Sequence, residues 1–142
     1  VVGLNVSREI TRQVAKHGFQ SLSEEQKGKL KDGACRVDKI DMDFMRRAYG
    51  GHGHGQINFE FFCEAQLAWD NMMAINALDF LRQHPQTDMV IIAGTGHVWK
   101  PGIPAQIIKR SSMPCGVILP EIHHIIEPGL VTPGDTDYIM LK

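Results

Sequence analysis

A surplus of charge is missing from this chain of 142 residues. Its 15 Lys and Arg against 16 Asp and Glu leave a formal net charge of −1. That balance lacks the electrostatic footprint of a nucleic-acid-binding surface, so no nucleic-acid partner is expected. Cysteine is scarce. Cys35, Cys63 and Cys115 form no CxxC motif, and an odd number cannot all pair within the chain. They read as mostly buried thiols. No apolar run approaches the roughly 20 residues that a bilayer-spanning helix needs. There is no internal repeat or low-complexity tract, no GxSxG elbow, P-loop, HExxH pair or EF-hand loop. Gly94-Thr95-Gly96 lacks the third glycine and the helix context of a dinucleotide fingerprint.

The length suits one domain over residues 1–142, large enough to bury a core without disulfide or metal staples. Residues 1–6, VVGLNV, read as a buried strand. Ser7 is placed to cap a helix with Ile10 and Val14 inward and Gly18 as its stop. Ser23 and Gln26 form a capping-box pattern for a short polar helix. Residues 32–38 read as loop, and then Ile40, Phe44 and Ala48 share one helical face, as do Met45 and Tyr49. Asn58 is the expected cap of a long helix over residues 59–83, with Pro85 beyond its end. Residues 89–93 read as a buried strand, residues 102–110 as a short helix entered through Pro104, and CGVILP and YIMLK as further strands. This alternation predicts an α/β fold with a largely parallel sheet flanked by helices. Ligands in such sheets collect outside the carboxyl ends of strands.

Three groups of residues carry chemical potential. The first is His97, at the tip of a strand and after Gly94 and Gly96. Glycines let the backbone turn and let a ligand approach, and an imidazole there can ligate a metal, move a proton or hydrogen-bond an anion. The second is a stripe on the long helix: Gln66, Trp69, Asp70 and Met73 at i, i+3, i+4 and i+7. A core stripe should be apolar throughout. This one mixes an amide, an indole, a carboxylate and a thioether, which suits a pocket wall. The third is AYGGHGHGQ, where Tyr49, His52 and His54 sit among four glycines on a segment able to close over a ligand. Phenolate and imidazole both ligate iron. His123 and His124 are adjacent and cannot face the same way on a regular element, so they read as structural or edge residues.

Three segments, in order, resemble the ChaN-like haem-binding lipoproteins of the wider Tiki and TraB superfamily. They are Gly3-Leu4-Asn5 with Arg8; Ala65-Gln66 with Trp69-Asp70 and Met73-Ala74; and Ala93-Gly94 with Gly96-His97 and Gly102-Ile103-Pro104. The family domain normally opens with a strand ending in Gly-Glu and a nearby His, and that element has no counterpart here. The resemblance therefore implies the C-terminal portion of the domain, lacking its N-terminal strands. An exposed sheet edge or apolar face is expected where they belong, and such edges recruit a second copy into a homo-oligomer.

Two functions follow from the resemblance. One is a haem-binding module of bacterial iron and haem uptake at the cell envelope, held at the membrane only through a lipid anchor outside this chain. Tyr49, His52, His54, Trp69 and Met73 are its haem-binding candidates. Asn5, Arg8, Gln66, Asp70 and His97 form its polar cleft, and Arg8 is expected to pair with Asp70. Tyr49 is ranked first as iron ligand because phenolate favours ferric iron. Arg8 or Lys100 would pair with the propionates. The alternative is a metal-dependent hydrolase of the superfamily type, with His97 on a divalent first-row metal. A single histidine motif weighs against an enzyme.

Overall fold

Ser7 opens the first helix as its side chain accepts a hydrogen bond from the Glu9 amide at 3.2 Å, and α1 runs Arg8–His17. The computed structural model describes residues 1–31, 45–46 and 58–142. Gly18 ends α1 with φ of 79°, a left-handed conformation that a side chain resists. A Cβ there would also lie 2.8 Å from the Phe61 ring, so glycine is required twice over. A single 3₁₀ turn, Phe19–Ser21, leads to α2, Glu24–Lys29. Both halves of the capping box form: Gln26 N donates to Ser23 Oγ at 3.2 Å, and Ser23 N donates to Gln26 Oε1 at 2.9 Å.

Asn58 caps α3, Phe59–Gln83, by accepting from the amides of Glu60 and Phe61. At 1.5 Å per residue this helix is about 37 Å long, the longest element described. Three hydrophobic clusters pack around it. Near its start, Cys63 joins Met45, Trp99, Val117, Leu119 and Ile126. Along a second side, Ala65 and Met72 meet Ile10 and Val14 of α1, with Leu22 and Leu30. Toward its end, Met73, Ala74 and Leu78 meet Ile103 and Ile107. Each fully buried Leu, Ile or Val side chain in these clusters stabilises the fold by about 1.5–3 kcal/mol.

After α3 the chain is extended over residues 89–93, then makes one helical turn, α4, Thr95–Val98, and a short helix, α5, Ile103–Ile108, with Pro104 in its first turn. Two strands close the chain: β1, Ile118–Pro120, pairs in parallel with β2, Tyr138–Met140, in the register Leu119 to Ile139. The connection between them contains turns and no helix.

The fold is thus mixed helix and sheet, α/β in the coarse sense, with helices far outweighing a two-stranded parallel sheet. The expected larger sheet is not formed among the described residues. Residues 1–6 and 89–93 keep the period-two burial of strands. Leu4, Val6, Ile91 and Ala93 pack toward the α3 clusters, while Val90 and Ile92 point outward, 87% and 94% exposed. Neither segment belongs to a ladder among the described residues. A strand apolar on both faces is the signature of a sheet covered on both sides. Here one face is covered and the other is open. Residues 89–91 also border a cavity of about 400 Å³ that separates them from residues 114–118, next to β1. Of the expected helix around residues 40–49, Met45 and Arg46 are helical, and the rest lies outside the described residues.

The end of the chain is tied to α4 by Lys100 and Asp137. Lys100 Nζ lies 2.6 Å from Asp137 Oδ1 and donates to the Pro133 carbonyl at 2.7 Å. Asp137 Oδ2 accepts from the Val117 amide at 2.8 Å. The Lys100 ammonium and that amide hold the Asp137 carboxyl below its ordinary value of 3.8. A carboxyl depressed in the folded state contributes stability above its unfolded pKa and loses it as pH falls through the folded value. The Asp137→Asn variant should therefore melt at a lower temperature than the parent near neutral pH. The gap should close below pH 3.8, as the parent's carboxyl protonates. Equal melting temperatures at neutral pH would show that the pair contributes nothing.

Candidate functional site

The middle of α3 carries the site. Gln66, Asp70 and Met73 are buried there, Asp70 to 1% exposure, and Trp69 is half-buried beside them. A carboxylate so enclosed needs a partner. His97 provides one: its Nδ1 lies 2.7 Å from Asp70 Oδ1. An ionised Asp70 accepts, so Nδ1 is the donor in this bond. The Trp69 indole meets the His97 ring edge-on, with centroids 5.5 Å apart and planes at 87°. One carboxylate and one aromatic edge thereby fix the imidazole.

His97 sits in α4, directly after the extended segment, which joins no ladder among the described residues. The glycine that its position demands is Gly102. A Cβ on Gly102 would fall 2.3 Å from the His97 carbonyl oxygen, an impossible contact. One on Gly94 would find only His97 Cδ2, at 3.8 Å, an ordinary distance. The turn is therefore tight where the chain returns past the histidine, not where it enters.

A cleft of about 850 Å³ opens over this arrangement. Residues 1–6 and Arg8 form one wall, residues 87–94 the other, and Trp69, Met73, Phe80 and His97 also line it. Its size falls in the roughly 300–1,000 Å³ range of small-molecule sites. Asn5, Arg8, Trp69, Met73 and His97 thus border one space. Asp70 lies behind His97, and Gln66, a turn earlier on α3, does not border the cleft. Tyr49, His52 and His54 lie outside the described residues.

Two expected pairings are corrected. Arg8 does not partner Asp70: it is exposed at the first position of α1 and forms no ion pair among the described residues, whereas Asp70 is sealed against His97. Lys100 does not face the cleft, being held by Asp137 and Pro133. Arg8 is placed against electrostatic preference. A cation at a helix N-terminus faces the positive end of the helix dipole, worth about 0.3–1 kcal/mol. Arg8 nonetheless borders the cleft.

Sequence reasoning missed Phe80 as a lining residue and the outward pair Val90 and Ile92. The period-two alternation of residues 89–93 held the signal for the latter. Trp69 Nε1 is buried with no hydrogen-bond partner among the described residues. An orphaned donor of this kind costs about 1–3 kcal/mol and calls for an explanation. Among the described residues no helix is long and apolar enough to cross a membrane.

A protein-family model described as haem-binding uptake, Tiki superfamily, ChaN, matches residues 1–107, a span holding the cleft walls, α3 and His97. No curated protein and no solved structure matches the chain.

The Asp70–His97 bond makes a direct prediction. Asp70→Ala removes the only carboxylate bonded to His97 among the described residues and leaves the N–H of a half-buried imidazole without that partner. Urea unfolding should show a loss of about 1–3 kcal/mol. Arg8→Ala, at an exposed site, should change stability by less than about 0.5 kcal/mol. Comparable losses in both variants would restore Arg8 as the partner of Asp70.

Proposed function

The chain belongs to the ChaN haem-binding family of the Tiki superfamily, and on that premise we propose that it is a haem-binding module of a bacterial cell-envelope uptake protein. The observation that carries the reading is the cleft over α3. A porphyrin requires a flat apolar slot, cations for its propionates and a ligand for its iron. Trp69, Met73 and Phe80 supply apolar lining, and Arg8 supplies an uncommitted cation at the wall. The orphaned indole N–H of Trp69 offers a donor that a carboxylate or carbonyl entering the cleft would satisfy after a small rotation of the ring. These residues fit the group. Haem, when bound, supplies an iron centre, and the residues of this chain hold and orient it.

The iron ligand in this reading is Tyr49, with His52 and His54 as the other candidates on the same glycine-rich segment. A phenolate suits ferric iron. His97 is already committed through Nδ1 to Asp70, and its role is to present Nε2 as a fixed hydrogen-bonding group at the cleft. The localisation and lipid anchor in this proposal rest on the family reading, and the exposed face of Val90 and Ile92 supports a homo-oligomer.

The competing reading places a divalent first-row metal on His97. The Asp70–His97 pair is the arrangement that orients a metal-ligating imidazole, and this favours it. Against it, His97 belongs to no group of three or more metal donors among the described residues. One histidine does not hold a catalytic metal, which takes about three protein ligands.

Haemin titration followed in the Soret region tests the proposal. The parent chain should give a saturable band, Arg8→Ala should weaken binding, and Tyr49→Phe should shift the band. Zinc bound in place of haem would give no Soret change. Unaltered spectra in Tyr49→Phe and His52→Ala, with binding lost in His97→Ala, would move the iron to His97. A chain that does not bind haemin at all would overturn the proposal.

A further inference from the structure

A second cluster of donors lies away from the cleft, on the connection between β1 and β2. Ile122 and Ile126 form an antiparallel bridge, with hydrogen bonds in both directions at 2.9 and 2.7 Å. Ile126 is fully buried and Ile122 packs on the same core, so the bridge anchors the turn it closes. Within that turn His124 has φ of 62°. This left-handed conformation is uncommon for any residue but glycine, though His is among those that tolerate it. Its consequence is geometric. On a regular element two adjacent side chains would diverge, which is why sequence reasoning set this pair aside. Here the rings of His123 and His124 lie with centroids 3.7 Å apart.

Glu127 completes the group. Its Oε1 lies 2.5 Å from His123 Nδ1 and accepts the His124 backbone amide at 2.9 Å. One ligand atom from each of the three residues falls within 4.8 Å of the others. A glutamate is a carboxylate at neutral pH, so Glu127 offers an anionic oxygen beside the two imidazoles. Two imidazole nitrogens and a carboxylate oxygen are the borderline donor set that prefers zinc, nickel, cobalt or copper to calcium or magnesium. Bringing the donors onto a cation at about 2.0–2.2 Å takes rotation of two exposed imidazoles and of a half-buried carboxylate. The Glu127–His124 backbone contact fixes the carboxylate as an outer-shell bond does.

We propose that His123, His124 and Glu127 form a binding site for a divalent first-row cation of the zinc type, independent of the haem cleft. The three side chains leave at least one coordination position to water, because the turn is exposed. A cation there would cross-link the two ends of a turn already closed by Ile122 and Ile126, and would stabilise the crossover between the two parallel strands.

The test is calorimetric titration of the chelator-stripped full chain with zinc, with cobalt absorption in the visible range as a second readout. One equivalent should bind, and zinc should raise the melting temperature. His123→Ala and Glu127→Gln should each weaken binding by about tenfold or more. His124→Gly is the sharpest variant. Glycine accepts φ of 62° without strain, so the fold should be as stable as the parent without metal, while zinc binding is lost. Absence of binding would overturn the proposal. So would binding that survives these substitutions, which would assign the metal to other histidines such as His52, His54 or His97.

Discussion

One helix covered on three sides sets the terms for this fold. α3 is covered by α1 along one face, by α5 along another and by the cluster around Leu119 near its start. A surface helix can leave polar groups to water. A helix buried on three sides must satisfy each of them within the protein. Asp70, in the middle of α3, is therefore the position at which packing and chemistry meet. Its carboxylate obliges the chain to bring His97 alongside, and the return of the chain past His97 requires Gly102. Asn71 is handled similarly by Arg110, whose Nη2 donates to it at 2.8 Å. Polar residues on the buried face of α3 thus fix where the segment after it must run.

That constraint places the cleft. Leu4 and Ile91 pack on the same cluster at the end of α3, one from each wall, and Asn76 anchors the first wall by donating to the Leu4 carbonyl at 2.8 Å. Between the walls lies Trp69, whose indole has no hydrogen-bond partner among the described residues, and at the edge stands Arg8, a cation at the unfavourable end of its helix. Neither feature improves the fold. Sites that break local rules without structural gain are where function is expected. In the proposed function, that donor, that cation and the apolar lining between them are the parts that a large planar ligand with acidic groups would use.

Legibility in the sequence followed how local each interaction is. The caps at Ser7, Ser23 with Gln26, and Asn58 are side chains bonding amides two or three residues away, so the pattern alone places the helices. α1 and α3 begin and end where these residues say. The mixed stripe from Gln66 to Met73 likewise marked the face that meets His97. Pairing in space was not legible. Arg8 was as good a partner for Asp70 on paper as His97, and only the path of the chain after α3 decides between them. The segments 1–6 and 89–93 have strand character, yet a strand becomes a ladder only with a neighbour, and their neighbours are not encoded within them. The positive φ of His124 was invisible for the same reason: it follows from the bridge that closes around it.

In the proposed function the ligand sits between residues 1–6 and 89–94, over α3. Amide hydrogen exchange with and without haemin measures this most directly. Both walls carry backbone amides outside any ladder among the described residues, so they should exchange fast in the free chain and slow on binding. Protection at residues 1–6 and 89–94 together is the predicted result. Haemin binding that leaves both walls unprotected, with slowing confined to β1, β2 and the turn between them, would contradict the account.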